Sequence, residues 1–193
     1  MRYIANRSSG RQGHAIAAAL AALGARVTLV SGPAALPDPL GLTTIHVETA
    51  REMLAAVQAA LPADIAVCAA AVGDWRPEEA TQKLKKTVDG VPALTLTENP
   101  DILAGISAPG QQRPRLVVGF AAETEKLAEH AAAKRARKGC DWLVANNVGG
   151  TGIMGGSENE VLLLTETGSE QWDRMNKQAV AQKLAAKIGE HFA

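Results

Sequence analysis

Asp64-Ile65-Ala66-Val67-Cys68-Ala69-Ala70-Ala71 is a run of strand length that turns apolar after its first residue and shows no polar alternation. A strand of this composition is covered on both faces, as at the centre of a parallel sheet. Working upstream, Pro62 closes a helix read over Ala50–Leu61. Thr49 reads as its N-cap, with Glu52 at the capping-box position. Before it come a strand, Thr44–Glu48, a loop, Pro33–Gly41, and a strand, Arg26–Val30, stopped by Ser31-Gly32-Pro33. A helix over Arg11–Leu23 ends at Gly24, a suitable residue just past a helix end. Downstream of the opening run the strands are Arg115–Ala121, Cys140–Asn146 and Glu160–Thr165. They alternate with helices Glu123–Lys138 and Met175–Phe192. Strands and helices in alternation predict a three-layer α/β/α fold around a mostly parallel sheet. Ligands of such folds bind at the carboxyl ends of the strands.

The bulk numbers agree with one domain over residues 1–193. The hydrophobic fraction is 47% and the aromatic fraction 3%, so the core is built from Ala, Val, Leu and Ile. Twenty basic residues balance twenty acidic ones, which argues against a nucleic-acid or membrane-surface partner. Cys68 and Cys140 make neither a disulfide framework nor a metal motif, and Cys68, inside its apolar run, reads as a buried free thiol. No signal-peptide pattern or membrane-length apolar run is present, so a cytoplasmic location is expected.

Two segments leave the βα pattern. Lys83-Leu84-Lys85-Lys86-Thr87-Val88 is followed by the hairpin signal Asp89-Gly90 and a return strand, Ala93–Thr97. An antiparallel arm over about 83–97 is therefore expected. Asn99-Pro100-Asp101 opens a short helix to Ile106, with Asn99 as N-cap and Pro100 at the first helical position.

The chemistry is sought at strand ends. Tyr3-Ile4-Ala5-Asn6-Arg7-Ser8-Ser9-Gly10-Arg11-Gln12-Gly13 leads from an apolar entry through a polar turn into the first helix. Free backbone N–H groups and the helix dipole at such a start favour a phosphate, and glycines let it approach. The same residues also read as an ordinary helix start capped by Ser8 or Ser9. Asn6, Asp74 and Asn146-Asn147 fall where the sheet opens. Asp74 is suited to accept hydrogen bonds from a base or ribose, or to shape a turn. Leu127, Ala131, Lys134 and Lys138 share one helical stripe, apolar early and basic late. Lys134 and Lys138 read as ligand-facing, whereas Arg135 and Arg137 read as complements to the helix dipole. Lys83, Lys85 and Lys86 either solvate the arm or close over phosphates.

Other nucleotide chemistries lack their residues. There is no G-x-x-x-x-G-K-[ST]. Gly10-Arg11-Gln12-Gly13 gives only one spacing of the dinucleotide fingerprint, and no acid follows Val30 to hold a ribose. Tyr3, the sole tyrosine, is followed four residues on by Arg7, so a Tyr/Lys dehydrogenase pair is unavailable. His14, His46, His130 and His191 form no metal-ligand spacing.

A set of motifs, in order along nearly the whole chain, resembles phosphopantothenoylcysteine synthetase, the synthetase half of the bacterial bifunctional coenzyme A biosynthesis protein. The motifs are Arg2–Gly10, Val30-Ser31-Gly32-Pro33, Ala69–Trp75, Lys83–Lys86, Asn99–Leu103, Val118–Thr124, Lys134-Arg135 to Lys138, and Ala145-Asn146. The resemblance implies a ligase in coenzyme A biosynthesis. The carboxylate of 4′-phosphopantothenate attacks the α-phosphate of CTP, and L-cysteine then displaces CMP from the acyl-cytidylate. It implies Asn6 as the catalytic residue of the second step. Asp74, Pro100, Asp101, Ile102 and Leu103 would read cytidine, with Phe120 near the base. Lys83, Lys134 and Lys138 would contact the nucleotide, and Mg²⁺ would accompany the triphosphate. Ser9, Gly10 and Gly13 would meet phosphates, an assignment that rests on helix-terminus physics more than on the resemblance. The arm resembles a dimerisation flap, implying a homodimer. The family carries a strand ahead of the Tyr3 motif, so a first strand is expected to be missing here. Asn147 stands where the family commonly has aspartate, and Met154 where an aromatic is usual. The competing reading is a truncated nucleotide-binding domain that dimerises without turnover.

Overall fold

The computed structural model describes residues 6, 8–78, 94–123, 126–147 and 158–193. In chain order the elements are α1 (Arg11–Ala22), β1 (Thr28–Ser31), β2 (Thr43–His46), α2 (Ala50–Ala59) and β3 (Ile65–Cys68). They continue with β4 (Trp75–Pro77), β5 (Leu96–Glu98), α3 (Ile102–Ser107), β6 (Leu116–Glu123) and α4 (Leu127–Lys138). The chain closes with β7 (Trp142–Asn147), β8 (Glu158–Leu164), β9 (Ser169–Asn176) and α5 (Lys177–Phe192). The main sheet runs β3-β6-β7-β8-β9. Its β3, β6 and β7 are parallel, and β8 and β9 add antiparallel edges. β1 and β2 form a separate parallel pair.

Strand periodicity sorts the core into two faces. Leu116, Val118 and Phe120 of β6 point the same way as Trp142 and Val144 of β7 and Val161 and Leu163 of β8, under Ile16 of α1 and Val180, Leu184 and Ile188 of α5. Val117, Ala121, Leu143, Ala145 and Leu162 point the other way, toward Val57 of α2, Leu103 and Ile106 of α3, and Leu127 and Ala131 of α4. This is the expected three-layer α/β/α arrangement. Val117, Val118, Leu143, Val144 and Leu163 are wholly buried. Each such side chain contributes about 1.5–3 kcal/mol of burial, so aliphatics sustain a core with few aromatics.

The capping box at the start of α2 is complete. Thr49 accepts from the Glu52 N–H at 3.1 Å, and Glu52 accepts from the Thr49 N–H at 3.4 Å. Other boundaries differ from expectation. The opening apolar run contributes only Ile65–Cys68 as strand, half-buried, with β6 as its single partner among the described residues. No described strand joins β3 to the β1–β2 pair. Residues 1–5, on which the expectation about a first strand falls, lie outside the described residues. Glu123 ends β6 rather than starting α4, which begins at Leu127. Strand β9 was not expected. Its residues are polar except for Trp172 and Met175, because it lies at the sheet edge and buries only Trp172 fully. The last helix accordingly starts at Lys177, capped by Asn176, which accepts from the Ala179 N–H at 2.8 Å.

Gly119 lets α3 settle onto the sheet. A Cβ there would lie 2.7 Å from Leu103 Cδ2, 3.0 Å from Leu143 Cδ1 and 3.3 Å from Cys140 Sγ. Leu143 is wholly buried, so relief must come from moving Leu103 and with it α3. Gly119→Ala is expected to destabilise by about 1–3 kcal/mol through overpacking. Urea unfolding would show it as a lower midpoint at unchanged slope.

Candidate active site

The carboxyl end of β3 meets the start of α1. That helix begins at Gly10, in the left-handed region at φ 68°, and no side chain caps it. Ser8 and Ser9 are exposed and cap nothing, which corrects the serine-cap reading. The left-handed turn into the helix needs glycine, since a Cβ on Gly10 would fall 2.6 Å from Ala34 Cβ. A Cβ on Gly13 would be 4.0 Å from Ala69 Cβ, so the first turn of α1 sits against the residue that follows β3. With no acid in its first turn and no side-chain cap, this terminus is suited to an anion. Gln12 Nε2 donates to the Lys177 carbonyl at 3.1 Å, fixing α1 to the start of α5.

After β3 the chain turns through Val72-Gly73-Asp74, and Asn99 pins that turn. Asn99 Nδ2 donates to the Gly73 carbonyl at 2.9 Å, and the Asn99 N–H donates to the Asp74 carbonyl at 2.8 Å. Arg76 donates to Asn99 Oδ1 at 3.3 Å and to the Glu98 carbonyl. Asn99 therefore does not cap α3; Asp101 does, accepting from the Ala104 N–H at 3.0 Å, and Pro100 precedes the cap. Asn6 Nδ2 donates to the Val72 carbonyl at 3.4 Å, which brings it to the same turn as the exposed Asp74. β4 and β5 pair antiparallel at this point, giving the base of the expected arm.

The basic stripe on α4 is as read. Ala131 is wholly buried, and the side chains of Lys134 and Lys138 are 28% and 21% exposed. Lys138 is ion-paired to Asp101. Lys134 Nζ lies 3.9 Å from Glu123 Oε1, and His130 Nδ1 lies 3.7 Å from Glu123 Oε2. Arg135 does more than complement the dipole, since its Nε donates to the Asp141 carbonyl at 2.7 Å. Desolvation raises the Asp101 carboxyl, but the Lys138 hydrogen bond, the Ala104 N–H and the Lys138 and Arg137 charges outweigh it and hold it below the ordinary range. A depressed folded-state value adds stability above the unfolded value, about 3.9, and that stability is lost as pH falls through the folded one. Asp101→Asn is expected to flatten the acid limb of a stability–pH curve below about pH 4. An unchanged limb would remove Asp101 from that role.

Not every expected residue joins the group. Phe120 packs on the α1/α5 face, whereas Leu103 and the buried Ile102 belong to α3 on the other face. Lys83, most of the arm, and the glycine-rich loop with Met154 lie outside the described residues. Cys68 is half-buried, short of the full burial expected, and Cys140 is buried. Desolvation pushes the Cys68 thiol up to about 12 and raises Cys140 as well, so neither is a thiolate nucleophile at neutral pH. Among the described residues no three His, Cys, Asp or Glu side chains are grouped to hold a metal. Glu123 was missed as a site residue because it read as the first residue of a helix. Asn146, noted only as a strand-end polar residue, carries a buried Oδ1 without a hydrogen-bond partner among the described residues.

The family model described as "DNA/pantothenate metabolism flavoprotein C-terminal domain" matches residues 1–192. The chain belongs to this family. It is 42% identical over 194 residues to the coenzyme A biosynthesis bifunctional protein CoaBC of Vibrio parahaemolyticus, covering 98% of this chain and 48% of that protein. The chain thus spans about half the length of the curated relatives it matches. A crystal structure of the C-terminal domain of CoaBC superposes with a TM-score of 0.80 at 33% identity, covering 100% of this chain and 87% of that one. A Cab2 variant in complex with phosphopantothenate-cysteine shares the fold, with a TM-score of 0.71 at 16% identity over 99% of this chain and 82% of that one. Family membership agrees with the resemblance carried by the ordered motifs, and the mixed α/β sheet is the fold of these neighbours.

Proposed function

We propose that this chain is a phosphopantothenate–cysteine ligase domain acting in coenzyme A biosynthesis. One continuous thread of contacts carries the reading. Asn6 holds the Val72 carbonyl, Asn99 pins Gly73 and Asp74, and two residues on Asp101 is paired with Lys138. The thread starts after the carboxyl end of β3, beside the uncapped start of α1, and reaches α4 through Asp101, which supports this reading.

The 4′-phosphopantothenate carboxylate attacks the α-phosphorus of CTP, forming an acyl–phosphate bond as the bond to pyrophosphate breaks. The amine of L-cysteine then attacks the acyl carbon, CMP leaves, and one proton is lost. A carboxylate resists attack until its oxygen belongs to a good leaving group. The site must therefore screen the triphosphate and shelter the activated acyl group from water. The backbone N–H groups near Ser9, Gly10 and Gly13 would receive phosphate oxygens. Lys134 and Lys138, with Lys83 from the arm, would neutralise charge. Asp74 and the Pro100–Leu103 segment would read the base. Mg²⁺ would travel with the triphosphate on its own oxygens. Trp75, Leu94 and Leu96, all about half exposed, line the base of the arm and favour a homodimer through it. No helix among the described residues is long and apolar enough to cross a membrane.

The test is pyrophosphate release from the folded chain with 4′-phosphopantothenate and CTP, with ATP as the parallel arm, followed by mass analysis after L-cysteine is added. Release with CTP and formation of 4′-phosphopantothenoylcysteine are expected. Folded protein that releases pyrophosphate with neither nucleotide would instead be a nucleotide-binding domain without turnover.

A further inference from the structure

Glu123 ends the central strand β6 and faces two basic side chains, Lys134 and His130, one on each oxygen. Its side chain is 21% exposed, so these contacts are partly shielded from solvent. An acid at this place opposes binding of a polyanion unless it serves to hold a cation there. Lysine is a point charge on a flexible four-carbon stem and gains most from being fixed before a ligand arrives. Ala131, one turn earlier on the same stripe, is wholly buried, so the helix itself cannot rotate to re-aim the ammonium. The rigid end of β6 is where a fixed anchor can stand.

We infer that Glu123 is a positioning residue that sets the Lys134 ammonium for the phosphates of a nucleoside triphosphate. It acts through Lys134 and does not touch the nucleotide. The inference rests on the reading of Lys134 as a nucleotide contact, and the experiment separates the two.

Calorimetric titration of the full chain with Mg²⁺–CTP needs no turnover. Lys134→Gln and Glu123→Gln are each expected to raise the CTP Kd about ten-fold, the loss of one charge-assisted contact. The double variant is expected to stay within about two-fold of either single, because the two residues act as a unit. Thermal midpoints within about 2 °C of the parent would separate positioning from folding. Should Glu123→Gln not fold, Glu123→Asp keeps the charge on a shorter stem and is expected to raise Kd by about three-fold. Unchanged Kd in Lys134→Gln overturns the site reading and the inference together. An effect in Lys134→Gln without one in the Glu123 variant, or a multiplicative rise of about 100-fold in the double, overturns the inference and leaves the site standing.

Discussion

Asn6→Asp is expected to release pyrophosphate at close to the parent rate and to lose amide formation with cysteine by about 100-fold or more. The expectation follows from the place of Asn6 and from what the substitution removes. Its Nδ2 donates to the Val72 carbonyl over 3.4 Å, a long contact from an exposed side chain. Such a donor can turn to a ligand oxygen at little cost. Aspartate has nearly the same shape but offers only acceptors. It would be repelled by the Val72 carbonyl and by the oxygens of an acyl phosphate. On the proposed reading the first step relies on other groups, namely the α1 terminus and the lysines, and should continue. The second step would lose the donor proposed to hold the mixed anhydride as the amine attacks. Mass analysis should then find acyl-cytidylate accumulating in the variant when cysteine is present. Equal loss of both steps would show that Asn6 serves nucleotide binding and not transfer.

The part of this site visible in the sequence was the part that local chemistry marks. Thr49 and Glu52 formed their capping box because that motif is decided within four residues. Lys134 and Lys138 fell on the expected stripe because helical periodicity is fixed by geometry alone. The failures arose where a distant partner decided the outcome. Asn99 carries every local mark of an N-cap, yet its side chain is drawn to Gly73 and Arg76, more than twenty residues away in sequence, and Asp101 caps instead. Glu123 looked like the start of a helix, but the ladder with β7 extends β6 through it. Strand β9 is held by β8 and by the burial of Trp172, neither of which leaves a period in its own residues. Phe120 sits in a motif beside residues of the other face, and alternation along β6 sends it toward α1 and α5.

Arg113→Ala is expected to cost about 2–4 kcal/mol, a large loss for a change away from the site. Arg113 donates from Nε to the Ser107 carbonyl at 2.9 Å, from one terminal nitrogen to the Pro114 carbonyl at 2.9 Å, and from the other to Asp141 Oδ1 at 2.9 Å and the Gly139 carbonyl at 3.3 Å. Asp141 Oδ2 in turn accepts the Val117 N–H at 2.7 Å, and its carbonyl accepts from Arg135. One guanidinium thus joins the end of α3, the start of β6 and the end of α4. Removing it leaves carbonyls that the fold has turned inward, and a carboxylate without its counter-ion. The pair is partly exposed, at 23% and 34%, so solvent offsets part of the loss and the value falls short of a fully buried pair. For a chain of this size the loss lowers the melting midpoint by about 4–16 °C. Asp141→Asn keeps an acceptor for the Val117 N–H and loses only the charge, so about half that effect is expected. Both residues lie at the amino ends of β6 and β7, away from Asn6, Asp74 and the start of α1. At temperatures well below the midpoint, CTP affinity in both variants should therefore match the parent. A melting curve unmoved by Arg113→Ala would show that its hydrogen bonds only decorate packing that stands without them, whereas a fall in CTP affinity in the cold would mean that α3 and α4 are held in place from this far end.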